Sequence, residues 1–166
     1  MEIIAHPSAQ AAMSGRFLCS LALLLLSFAG GGCEQQSQSP AGLPVVKMDI
    51  GRQKFAIEVA RSAGEQETGL MKRDAMPADH GMIFVFADDQ VRRFWMKNTR
   101  FPLDILFLDS TGKVVSVRQM QAYDMNETSS DFPARYAVEL NSGAAAQSGV
   151  QVGDILDIPP PARSSK

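Results

Sequence analysis

One six-residue run limits the fold of this chain more than any other feature: Leu103-Asp104-Ile105-Leu106-Phe107-Leu108, set off by Pro102 before it and Asp109 after it. Its length and apolar content predict a strand, and side chains alternate faces along a strand. Leu103, Ile105 and Phe107 then share one face, while Asp104 shares the other with Leu106 and Leu108. A carboxylate in apolar company is unfavourable unless it is paired or hydrogen-bonded. The sequence therefore predicts a buried Asp104 with a partner, and Lys97, Arg73 and Arg100 are the candidate cations. Immediately upstream stands Trp95-Met96-Lys97-Asn98-Thr99, which holds the chain's single Trp.

Strand patterns recur on both sides of this run. Val46, Met48 and Ile50 alternate with polar residues, as do Phe55, Ile57 and Val59, and Gly51-Arg52 lies between them, which predicts a β-hairpin. Ser62-Ala63-Gly64-Glu65 is a Ser-x-x-Glu capping box and predicts a short helix from Ala63 to Met71. Met82 to Phe86 is apolar on both faces and predicts a buried strand. Further strands are expected over Val114–Met120, Ala134–Leu140 and Ile155–Ile158, with a second short helix capped by Asn141-Ser142 and ending at Gly149. Gln121 to Pro133 reads as a long polar loop. Strands joined mostly by turns, with two short helices, predict an α+β fold of mainly antiparallel sheet, curled into a barrel or folded as two packed sheets.

The N-terminus carries a different signal. Phe17 to Phe28 is uncharged and apolar, follows Arg16, and is too short for the roughly 20 apolar residues that span a bilayer. It has the form of a secretory signal, with Met13 as an alternative start to Met1. Ala29-Gly30-Gly31-Gly32-Cys33 resembles a bacterial lipobox, with Gly30 where Leu is usual, so Cys33 is the expected lipidation site. The alternative is cleavage after Ala29, which would leave a soluble periplasmic protein. Residues 1–33 are thus read as signal, 34–44 as polar tether, 45–158 as a single domain and 159–166 as tail. The expected partner at this end is a membrane, reached through lipid on an exported, periplasm-facing chain.

Composition removes several chemistries. The only Cys residues are Cys19 and Cys33, so the domain has no disulfide, thiol nucleophile or thiolate metal site. Net charge is −2 with mixed signs, which gives no nucleic-acid footprint. No Ser lies in a nucleophile elbow, no zincin box is present, and no cofactor is expected.

Gly69-Leu70-Met71-Lys72-Arg73, Gly81 to Phe86, Phe94-Trp95-Met96-Lys97-Asn98-Thr99, Pro102-Leu103-Asp104-Ile105, Ala134 to Val138 and Val152-Gly153-Asp154 resemble, in order and spacing, domain-of-unknown-function family DUF 192. The resemblance covers Val45 to Ile158 and implies a compact β-rich fold, often on an exported or lipid-anchored bacterial protein. It implies no reaction. Many members carry Cys where this chain has Gln121 to Pro133 without one, so no thiol role transfers.

Three function classes follow. The first is a non-catalytic binding module for a small polar or anionic ligand, a peptide or a glycan, with Trp95 as wall and Arg73, Lys97, Asn98 and Asp104 as polar contacts. The second is a hydrolase whose base is Asp104 or Glu67. The third is soft-metal binding, Cu(I) on His80 and Met82. Each residue also has a purely structural reading: Trp95 as packing, Lys97 as solvated surface, Asn98-Thr99 as a turn, Asp104 as an ion pair.

Overall fold

The structure is a computed structural model and describes residues 39–163. The signal, Cys33 and residues 34–38 of the tether lie outside those residues. The hairpin forms as its alternation predicts: β1 (Val45–Ile50) pairs antiparallel with β2 (Gln53–Ala60) through the Gly51-Arg52 turn. The chain then crosses over through α1 (Ala63–Thr68) and returns as β3 (His80–Gln90), which lies parallel to β2. Among the described residues, that crossover is the one exception to the expected antiparallel pairing. A turn leads to β4 (Arg93–Phe94), followed by β5 (Leu103–Leu108) and β6 (Val114–Met120), which form a second antiparallel hairpin. β7 (Thr128–Ser129) pairs with β4 inside the segment read as a loop, and β8 (Ala134–Asn141) precedes α2 (Ala144–Ser148).

The main sheet runs in the order β1-β2-β3-β8-β5-β6. It is open, with β1 and β6 as its edges, so the barrel half of the expectation gives way to a six-stranded sheet plus the small β4–β7 sheet. β8, last in sequence among the strands, sits in the middle and joins β3 to β5.

Both faces of the sheet are buried at its centre, which is why Met82–Phe86 of β3 and all of β5 but Asp104 read as apolar. On the first face Met48, Ile57, Ile83, Leu106 and Val138 pack under α2 and the segment from Val150 to Ala162. On the second, Met82, Phe84, Ile105 and Phe107 pack under Leu70, Met76, Met96 and Phe94. Fully burying a side chain of this kind contributes roughly 1.5–3 kcal/mol, so two covered faces supply most of the driving force.

Local details differ from the sequence reading for identifiable reasons. α1 has the full Ser62–Glu65 capping box but stops at Thr68, because Gly69 takes a positive φ of 45° as its C-cap. Gly69 also lies against the Phe84 ring, where an added Cβ would come within 3.3 Å of it, so the close neighbour is an aromatic side chain, not a backbone. The expected last strand over Ile155–Ile158 reduces to a single bridge from Ile155 to Lys113. Pro160–Ala162, read as tail, forms a 3-10 turn with Ala162 buried, and the Arg61 guanidinium donates to the carbonyls of Pro161 and Arg163.

Candidate functional site

Asp104 is buried, 1% exposed, as its position predicts. Its partner is not a cation. Oδ2 accepts a hydrogen bond from the Ala145 backbone N–H at 2.9 Å, at the start of α2. The N-cap of that helix is Gly143, which has no side chain to offer, so the carboxylate from β5 replaces the expected Asn141-Ser142 cap. The three candidate cations are engaged elsewhere: Arg73 pairs with Glu58, Arg100 with Asp74, and the Lys97 ammonium sits 5.2 Å from the Trp95 ring centroid. Asp104 also faces the Leu106–Leu108 side of the sheet, away from Trp95.

The second face holds the opening. Between α1 and β4 lies a cavity of about 550 Å³. Its apolar wall includes Phe84, Phe86 and Phe94, whose rings meet edge to face, with centroids 5.0 Å apart for Phe84–Phe94 and 6.4 Å for Phe86–Phe94. Trp95, 47% exposed, stands at the rim, and Thr99 and Glu139 lie deep. The positive φ of Gly69 matters here, since the turn it makes ends α1 beside Phe84 without a side chain filling the space between them.

Glu139 is the group that sequence reasoning missed. It is 5% exposed and lines the cavity, and among the described residues no donor hydrogen-bonds its carboxyl. Burial pushes that carboxyl up to about 8, and Arg73 pulls it only partly back. Along the same row of the sheet, Glu139 pairs with Met82, and Met82 with Glu58. Two strand spacings put the two Glu Cα atoms about 10 Å apart. Glu58 has a different fate: Arg73 donates to both of its oxygens, at 2.5 and 2.8 Å. Burial alone would raise the Glu58 carboxyl, but the guanidinium, with help from the Ser39 hydroxyl, holds it below the usual carboxylate range. The hydrogen bonds that Arg73 donates to Glu58 in turn raise the guanidinium.

Of the five residues expected to share a ligand, only Trp95 lines this cavity. Arg73 lines a neighbouring one of about 510 Å³ with Glu58, Met71 and His80, partly covered by Pro40 and Ala41. Lys97 and Asn98 are exposed on the turn; Asn98 takes a positive φ of 57° and its carbonyl accepts from the Lys72 N–H. His80 and Met82 do share a strand face, but Met82 is wholly buried and His80 Nδ1 lies 2.8 Å from Asp79. Glu67, one of the two carboxylates considered as a base, lines the cavity, whereas Asp104 does not.

The fold and cavity define a mixed-sheet α+β domain with an aromatic pocket on one face. The chain belongs to the DUF192 family, described as "Uncharacterized ACR", whose profile matches residues 45–158. Two solved structures are similar. A protein of unknown function from Novosphingobium aromaticivorans DSM 12444 shares 33% identity at a TM-score of 0.70, covering 74% of this chain and 91% of that one. A Sinorhizobium meliloti 1021 protein, described as a candidate transcription regulator, shares 33% identity at a TM-score of 0.63, covering 68% and 91%. Comparison with curated proteins finds no match.

Proposed function

We propose that the domain is a non-catalytic binding module whose ligand enters the cavity between α1 and β4. The observation that carries this reading is Glu139: a carboxyl 5% exposed, with no hydrogen-bond donor among the described residues, lining an open aromatic pocket. A buried polar group left unmatched is unfavourable to the fold, and at a cavity floor it orients a ligand. The volume suits a small molecule or the end of a longer one, and the exposed Trp95 face suits a sugar or peptide group stacking at the rim. An anionic ligand is disfavoured, because the nearby cations are engaged: Arg73 by Glu58, Arg92 by Asp88 and Arg93 by Glu127.

The hydrolase alternative retains one supporting feature, since a carboxyl near 8 suits a general acid and Glu67 lines the same cavity. It ranks second because, among the described residues, neither hydroxyl lining the cavity, Thr68 nor Thr99, is hydrogen-bonded to a carboxylate.

Trp95 is the chain's single Trp, so its emission reports on the rim. Titration with cellobiose, glycylglycine, acetate and tetramethylammonium should give a saturable change for at least one class. A flat response to all four, in a chain folded by circular dichroism, removes the reading.

The proposal extends to the N-terminus: the domain is exported and held at a membrane by lipid on Cys33. Several acyl chains anchor firmly, at about 0.8 kcal/mol per buried CH₂, where one does not. Cys33→Ser should release the protein from membranes, and unmodified Cys33 in soluble wild-type protein contradicts the anchor.

A further inference from the structure

We propose that the Glu139 cavity takes a small organic cation, an alkylammonium or quaternary ammonium group seated among Phe84, Phe94 and Trp95 with Glu139 as its counter-ion. This rests on the cavity being a binding site and names the class of its ligand.

The charge balance of the sheet row that borders the cavity carries the argument. Two buried carboxyls, Glu58 and Glu139, stand in one row of the sheet, and a single guanidinium, Arg73, serves them. Arg73 is bound through both terminal nitrogens to Glu58. When Glu139 ionises, the row is one cation short. The walls do not supply it. Arg92 stacks 4.0 Å over the Phe86 ring and pairs with Asp88, and Arg93 lies 3.5 Å from Glu127. Glu67, on α1 at the cavity wall, has no cation partner among the described residues. With these pairs formed, Glu67 and an ionised Glu139 line the cavity without a cation partner among the described residues, and Lys97 stands outside at the rim, 5.2 Å from the Trp95 ring centroid.

The lining decides what kind of cation fits. Aromatic faces attract a cation through their quadrupole, and more strongly once water is excluded. They hold an ion whose charge is spread over alkyl groups and whose hydration is weak. The described residues contain no cluster of three or more His, Cys, Asp or Glu able to hold a metal. The cavity volume, about 550 Å³, leaves room for a substituent beyond the ammonium head.

Binding must also move a proton. The free carboxyl, held near 8 by burial, is mostly protonated at neutral pH. A cation seated on it stabilises the ionised form, so occupancy expels the proton to solvent.

The test is calorimetric, on the full-length chain, with tetramethylammonium, choline and the uncharged choline isostere 3,3-dimethylbutan-1-ol. Titrations are run near pH 7 in two buffers of different ionisation heat. The expected result is saturable binding of the cations, at least about tenfold weaker binding of the isostere, and release of close to one proton per cation bound. Glu139→Gln should weaken cation binding by about tenfold or more and abolish the proton release, while melting as a folded protein. If that variant does not fold, the proton count on the wild-type chain decides alone. Equal binding of choline and its isostere overturns the cation, cation binding without proton release overturns Glu139 as its counter-ion, and either leaves the cavity reading standing. Binding of only cellobiose or glycylglycine has the same effect. Failure of every probe overturns both.

Discussion

Glu58 and Glu139 occupy one row of one sheet face, on either side of Met82, and are nearly equally buried. Glu58 has a two-pronged guanidinium and stays ionised. Glu139 has none and is held near 8. The contrast shows that burial alone does not decide what a carboxyl is for. With a partner it ties the crossover after α1 to the sheet. Without one, lining an open cavity, it carries the binding reading proposed above.

The sharpest way to break this contrast is to remove the partner. Arg73→Leu leaves Glu58 buried and alone, and should lower stability at pH 7 by about 3–5 kcal/mol. Arg73 is also the only group drawing the Glu139 carboxyl down, so the titration of Glu139 should move higher in the same variant. Urea melts of Arg73→Leu and of Arg73→Leu with Glu58→Leu measure the effect, and the double variant should recover most of the loss. A single variant as stable as wild type would show that the pair is not structural.

The two carboxyls should also give opposite pH slopes. Glu58 is depressed, so its contribution is present above its unfolded value of about 4.5 and is lost as pH falls through the folded value. Glu139 is raised, so its contribution is fully present below 4.5 and is lost as pH rises through about 8. Within that window, stability should fall by up to about 1.4 kcal/mol per pH unit on account of Glu139. Glu139→Gln should match wild type near pH 5 and exceed it by on the order of 4 kcal/mol at pH 9. Thermal melts across that range decide the matter, and parallel curves for the two proteins would refute the assignment.

A smaller effect distinguishes the two faces of the sheet. Asp104→Ala strands the Ala145 N–H at the start of α2 and should destabilise by about 1.5–3 kcal/mol. It acts on the face away from the cavity, so choline binding to the folded variant should not change. A lost affinity with an unchanged melt would return Asp104 to the binding site.

Much of the scaffold was legible because it is local. The β1–β2 turn, the Ser62–Glu65 box and the bounds of β5 and β6 follow from alternation and capping within a few residues. Burial of Asp104 was legible too, from Leu106 and Leu108 on its own strand. Its partner was not, since the Ala145 amide lies 41 residues on and backbone groups leave no mark in a sequence. Glu139 was hidden by the same alternation that exposed Asp104. It shares a strand face with Ala137 and Arg135, which reads as a solvated side. That face is covered only because the segment after α1 folds back over it, bringing Leu70 and Arg73 from a distant part of the chain. The parallel crossover placing Glu58 in the same row is equally non-local.

The place of β8 in the sheet has a kinetic consequence. β1, β2 and β3 on one side, and β5 with β6 on the other, have no strand bridging them until Ala134–Asn141 inserts between β3 and β5. Each half forms from nearby segments, but their union waits for residues among the last of the domain to be synthesised. Such long-range closure is slow and leaves two unpaired strand edges open in the interim, where another chain can add. Glu139 arrives with the closing strand, so the cavity acquires its carboxyl in the same event that makes the sheet whole.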